Sequence, residues 1–116
     1  MIFEFTIQQQ GDHAVIHLSG NLIDKGQAVN LLEQCDALKA GGCNKWAIDM
    51  QKLEYMNSSG LNTLIQLLTR SRVGGGEAVI YNLNKKMNEL ILITKLHTLF
   101  KMASDEKEAL QLLGVL

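Results

Sequence analysis

The 116-residue chain has no proline at all. Nothing in it fixes φ or removes a backbone N–H, so no element has to break on that account. Cysteine is almost as scarce, with Cys35 and Cys43 alone. They form no Cys-x-x-Cys pair, and no His/Cys spacing suits a zinc set, so a metal is not expected. Cys35 falls on the apolar stripe of a predicted helix, as a small hydrophobe would, and Cys43 follows Gly41-Gly42 in a loop. A disulfide between them is not expected in a reducing compartment. An excess of one charge is also missing. Eleven Lys and Arg meet 12 Asp and Glu, for a formal net charge of −1. That balance argues against nucleic acid, which calls for a basic face. No apolar run approaches the roughly 18 residues of a membrane span. The start, Met1-Ile2-Phe3-Glu4, has neither the basic opening nor the apolar stretch of a signal peptide. The expectation is a cytoplasmic protein without membrane insertion.

What is present is enough apolar side chain for one core, at 47% of residues, in a chain of one-domain length, 1–116. Phe3, Phe5 and Ile7 alternate with Glu4 and Thr6, the period of a strand. The turn pair Gly11-Asp12 then predicts a hairpin into Ala14, Ile16 and Leu18, with Gly20 as the stop. Ala28, Leu31, Leu32, Cys35 and Leu38 follow helical spacing up to Gly41-Gly42. Trp46–Met50 is a compact strand, apolar except for Asp49. A helix carrying Leu61, Leu64, Ile65 and Leu68 runs from it to Gly74-Gly75-Gly76. Ala78–Tyr81 reads as a strand buried on both faces. Met87, Leu90, Ile91 and Thr94 place a third helix, and Leu99, Phe100 and Met102 a short last strand. Ser104-Asp105-Glu106 opens a fourth helix with Ala109, Leu110 and Leu113 on its apolar face. The order β-β-α-β-α-β-α-β-α predicts an α/β domain. Its sheet is mixed and mostly parallel, with an N-terminal β-hairpin and four flanking helices.

Sites on such sheets gather where strands end and helices begin. Residues 55–65, Tyr-Met-Asn-Ser-Ser-Gly-Leu-Asn-Thr-Leu-Ile, stand at one such turn. Unpaired N–H groups and the positive dipole end meet at a helix mouth, which suits a phosphate. Asn57, Ser58 and Ser59 are all good caps, and capping needs only one of them. No acid, base or metal cluster adjoins them in sequence. A serine so placed reads as a substrate rather than a catalyst. His13, His17 and His97 are scattered, and no Ser/His/Asp order or Gly-x-Ser-x-Gly elbow supports hydrolysis. Gly74-Gly75-Gly76 precedes a strand and reads as a turn, not a phosphate loop. Lys85-Lys86 reads as a solvated helix start. Gly60 costs about 1 kcal/mol against Ala within a helix. Close approach by a partner's backbone would justify it.

The segment Met56-Asn57-Ser58-Ser59-Gly60-Leu61 resembles the serine signature of the STAS family, the domain of bacterial anti-sigma factor antagonists. That signature is an apolar strand, Asp-Ser-Ser/Thr-Gly-Leu, and a helix. Ala47-Ile48-Asp49-Met50, Gly75-Gly76-Glu77 and Leu18-Ser19-Gly20-Asn21-Leu22 are similar to their family counterparts, and the likeness runs along essentially the whole chain. The resemblance implies that Ser58 is the phosphorylation site of a serine kinase that is itself the anti-sigma factor. Unphosphorylated antagonist binds that kinase and frees a sigma factor, and a phosphatase resets the switch. Asn57, Ser58, Ser59, Gly60 and Leu61 would shape the docking surface, with Asp24 in the loop beside them. No cofactor and no catalytic activity are implied. Two departures stand out. Asn57 replaces the usual Asp, and Ile23 intervenes between Leu22 and Asp24. Two other classes stay open: a STAS subunit of a stress-sensing or lipid-transport assembly, and a small-ligand or nucleotide binder.

Overall fold

The structure, a computed structural model, describes residues 2–116. Strand β1 (Glu4–Gln10) turns at Gly11-Asp12 into β2 (His13–Leu22), and the two pair antiparallel from Glu4↔Ser19 to Gln10↔His13. Helix α1 (Val29–Ala40) leads to β3 (Lys45–Met56), α2 (Ser58–Val73) to β4 (Glu77–Tyr81), and α3 (Lys85–Ile93) to β5 (Lys101–Ala103). Helix α4 (Glu106–Leu112) follows. The sheet order is β1-β2-β3-β4-β5, and every pair after the first is parallel. This is the expected mixed sheet, with its antiparallel edge made by the opening hairpin.

The sheet buries both faces unequally. Ala14, Ile16, Leu18, Trp46, Ile48 and Ile80 face a core completed by Leu31 and Cys35 of α1, Leu64 and Leu67 of α2, and Met87 and Ile91 of α3. The alternate residues Val15, Ala47, Val79 and Tyr81 face the other way and meet Ala109 of α4 and Leu113 just past its end. The apolar run Ala78–Tyr81 in β4 follows from this cover on both sides. Cys35 and Cys43 are free and buried. Burial, and secondarily the neighbouring Asp36, pushes the Cys35 thiol up to about 12. A thiol that holds its proton so firmly is a packing group, not a nucleophile. Arg70 and Arg72 in the last turn of α2 pair with Asp36 at 2.8 Å and Glu77 at 3.0 Å.

Three boundaries differ from the sequence pattern. Gly20 does not end β2, which runs on to Leu22. Gly20 has φ +84 and is buried, and a Cβ there would collide with the Ile2 carbonyl. It is a bend within the strand. Pairing with β3 slips at this bend, from Gly20↔Leu53 to Asn21↔Tyr55, and once before it, between His17↔Asp49 and Ser19↔Lys52. Each slip inserts one extra residue into β3, as a bulge does. That explains the second difference. β3 continues past Met50 to Met56, and its buried residues Met50, Leu53 and Met56 recur every three positions instead of every two. The third concerns β5, which starts at Lys101. Leu99 and Phe100 lie before it, after a 3-10 turn at Leu96–Thr98.

Candidate functional site

Only β2 pairs with the second half of β3; β4 pairs with Lys45–Asp49 and stops there. The long strand therefore carries Met56 beyond the sheet centre and delivers residues 57–61 beside the end of β2. Asn57 is the junction. Its Oδ1 accepts from the Ser59 and Gly60 N–H groups at 3.0 and 3.2 Å. Its Nδ2 donates to the Ile23 carbonyl at 2.9 Å. Its own N–H donates to the Leu22 carbonyl at 3.4 Å. The side chain thus caps α2 and ties the signature loop to the loop after β2. An aspartate could cap equally well but has no hydrogen to give Ile23.

Of the four N–H groups that a helix start leaves unpaired, those of Asn57, Ser59 and Gly60 are already taken. The capping falls to Asn57, with no share for the Ser59 hydroxyl. The helix mouth keeps its dipole but offers few donors, contrary to the open anion cradle its position suggests. Ser58, the first residue of α2, is exposed, and Ser59 is half-buried. Leu61 is half-buried and packs on the core.

Gly60 is buried, and the backbone that approaches it belongs to this chain. A Cβ at Gly60 would lie 2.5 Å from the Leu22 carbonyl oxygen and 2.6 Å from Met56 Cβ. The close approach expected of a partner is made by the end of β2. Asp24 caps a 3-10 turn, Lys25–Ala28. Its Oδ1 accepts from Gly26 N–H at 3.0 Å, and Gln27 Oε1 accepts from the Asp24 and Ile23 N–H groups at 3.0 and 2.9 Å. The structure therefore gathers Asp24, Asn57, Ser58, Ser59, Gly60 and Leu61 into one corner, joined through the Asn57–Ile23 bond.

A groove of about 500 Å³ opens beside Ser58, between the start of α2 and α3. Tyr55, Met56, Leu61, Leu90 and Ile93 supply most of its apolar wall. Tyr55 is 46% exposed and Ile93 79% exposed. The Lys86 ammonium lies 5.9 Å from the centroid of the Tyr55 ring. Tyr55, Lys86, Leu90 and Ile93 are not legible as site residues from the signature. Their one signal is the spacing of Leu90 and Ile93, which places an apolar pair on one side of α3 next to exposed lysines.

On the opposite sheet face, His17 Nδ1 meets Asp49 Oδ2 at 2.7 Å, and Nε2 meets Gln8 Oε1 at 3.3 Å. Asp49 Oδ1 also accepts from Gln51 N–H at 3.0 Å and from Asn82 Nδ2 at 3.2 Å. Ser19, on the same strand face, donates its hydroxyl to the Glu4 carbonyl. The dyad therefore has no nucleophile in line. It satisfies Asp49, the half-buried acid of β3. Among the described residues, no three His, Cys, Asp or Glu side chains converge on a metal position, and no helix is long and apolar enough to cross a membrane.

The arrangement defines a class: a small α/β domain that presents a serine on a capped helix mouth next to an apolar groove, as a binding surface would. Residues 4–109 match the family model of the STAS domain, and the chain belongs to that family. Solved structures carry the same fold at low identity. SpoIIAA, an anti-sigma factor antagonist in its unphosphorylated form, is 16% identical over 97% of this chain and 99% of its own, with a TM-score of 0.79. An anti-sigma factor antagonist from Mycobacterium paratuberculosis is 18% identical over 97% and 94%, with a TM-score of 0.78. The Bacillus SpoIIAA in its phosphorylated form is 18% identical over 93% and 97%, with a TM-score of 0.72.

Proposed function

We propose that the protein is an anti-sigma factor antagonist of the cytoplasm. It binds an anti-sigma factor serine kinase while Ser58 is unphosphorylated, and so frees a sigma factor. One observation carries the reading: Ser58 is exposed at the first position of α2 while Asn57 does the capping. The hydroxyl has no cap to maintain, so its modification costs the fold little. Phosphoryl transfer forms a bond from Ser58 Oγ to the γ-phosphorus of ATP. It breaks the link to ADP and hands the serine proton to the kinase. A phosphoserine adds roughly −1.5 to −2 charges. At a helix start such charge gains on the order of 0.3–1 kcal/mol. A partner packed over Ser58 meets the same charge as a group it must desolvate. Phosphorylation then ends the complex without unfolding the domain, and a serine phosphatase restores it. The role needs no cofactor and no catalysis by this chain. The fold shared with SpoIIAA, which exists in unphosphorylated and phosphorylated forms, supports the reading.

Incubation with the cognate kinase and ATP, followed by peptide mass spectrometry, should place the phosphate on Ser58, and Ser58→Ala should accept none. Ser58→Asp should keep its melting temperature near the parent's and weaken kinase binding at least tenfold, about 1.4 kcal/mol. Phosphate on Ser59 alone would overturn the assignment. Ser58→Asp binding as tightly as the parent would point instead to a permanent subunit of a stress-sensing or lipid-transport assembly.

A further inference from the structure

A phosphate on Ser58 gains from the dipole of α2, but the helix start offers it few hydrogen-bond donors. Three of the four unpaired N–H groups at its start are spent, on Leu22 and on the Asn57 side chain. We infer that Lys86 is the built-in acceptor: it leaves the Tyr55 ring, pairs with the phosphate and closes the groove. This inference rests on Ser58 being the modified residue. Ser58 and Lys86 line the same groove, in which, among the described residues, Lys86 is the only cation and Glu89 the only anion.

Lys86 is free to move. Among the described residues it takes part in no ion pair. It sits in the first turn of α3, where the helix dipole disfavours a cation. Its hold on Tyr55 at 5.9 Å is at the outer edge of a cation–π contact, about 6 Å, and the side chain is exposed. A dianionic phosphate in the same groove outcompetes an aromatic face, because a charge-assisted bond joins two full charges. Once captured, Lys86 spans from α3 to the mouth of α2. The apolar wall of Leu61, Leu90 and Ile93 then lies behind a salt bridge. A partner that needs the groove is refused twice, by the phosphate's charge and by the closed entrance.

The test uses protein with phosphoserine installed at position 58 during translation, titrated by phosphorus NMR at low ionic strength. A nearby ammonium favours the dianion, so the second phosphate proton should dissociate at least about threefold more readily in the parent than in Lys86→Met. Lys86→Arg should stay close to the parent. Tyr55 ring resonances should shift on phosphorylation in the parent and stay still in Lys86→Met. Lys86 is exposed, so equal melting temperatures will show that the variants are folded. Equal proton dissociation in the parent and Lys86→Met, or an unmoved Tyr55 ring, would overturn the inference. The phosphate here is installed without a kinase. A kinase that ignores Ser58 therefore sinks the proposed function and leaves this result standing, and the reverse also holds.

Discussion

Gly60→Ala sets two effects of opposite sign against each other. Helix propensity alone predicts a gain of up to about 1 kcal/mol, since Gly is the poorer helix former. Packing predicts a loss. The new methyl would sit 2.5 Å from the Leu22 carbonyl oxygen and 2.6 Å from Met56 Cβ. Neither neighbour is the loose end of a flexible side chain. The Leu22 carbonyl is also the acceptor of the Asn57 N–H, so moving it opens the joint between β2 and the signature loop. Overpacking of this kind costs typically 1–3 kcal/mol, and rigid backbone on one side places the cost toward the upper end. The net expectation is a loss of about 1–2 kcal/mol, or roughly 4–8 °C in melting temperature for a domain of this length. Circular dichroism melts and urea unfolding should agree, with an unchanged slope on denaturant. Asn62→Ala, at an exposed position two residues on, controls for propensity and should not lower stability. A Gly60→Ala variant that melts at or above the parent would refute the steric reasoning and return Gly60 to the role of a site for a partner's backbone.

Asn57→Ala should cost about 2 kcal/mol, about 1 for the lost cap and about 1 for the lost bond to Ile23; Asn57→Asp, which keeps the cap oxygen, should cost less, and urea midpoints will rank the three. Cys35 should resist thiol reagents in the folded protein at pH 8 and react at once in denaturant. Its folded pKa is raised from 9.0 to about 12, so its stabilising share is fully present below pH 9 and lost as pH rises through 12. The melting temperature of Cys35→Ala should therefore start lower but fall less steeply over that window, and parallel curves would contradict this.

Where the period of the side chains matched the backbone, the elements were legible. Phe3, Phe5 and Ile7 alternate because β1 has one buried face, and Ala78–Tyr81 is uniformly apolar because helices cover both sides of β4. Met50, Leu53 and Met56 defeated the same reasoning. Bulges change the count between buried positions, and a bulge is fixed by pairing with β2, which leaves no local mark on β3. Gly20 misled for a related reason. A glycine that ends a strand and one that bends it around another backbone look alike until that backbone is in place.

The corner around Ser58 divides in the same way. The amino-acid sequence by itself determined that an apolar strand runs into a helix through Asn57-Ser58-Ser59-Gly60, because caps, apolar spacing and glycine stops are local preferences. Only the tertiary structure decided what those residues do there. It gave the capping to Asn57, left Ser58 exposed, pressed Gly60 against Leu22, and brought Lys86 and Ile93 from α3 to the rim. Those outcomes depend on which strand ends lie side by side and on which helix crosses above them. They are contacts between segments far apart in the chain, and no short stretch of sequence carries them.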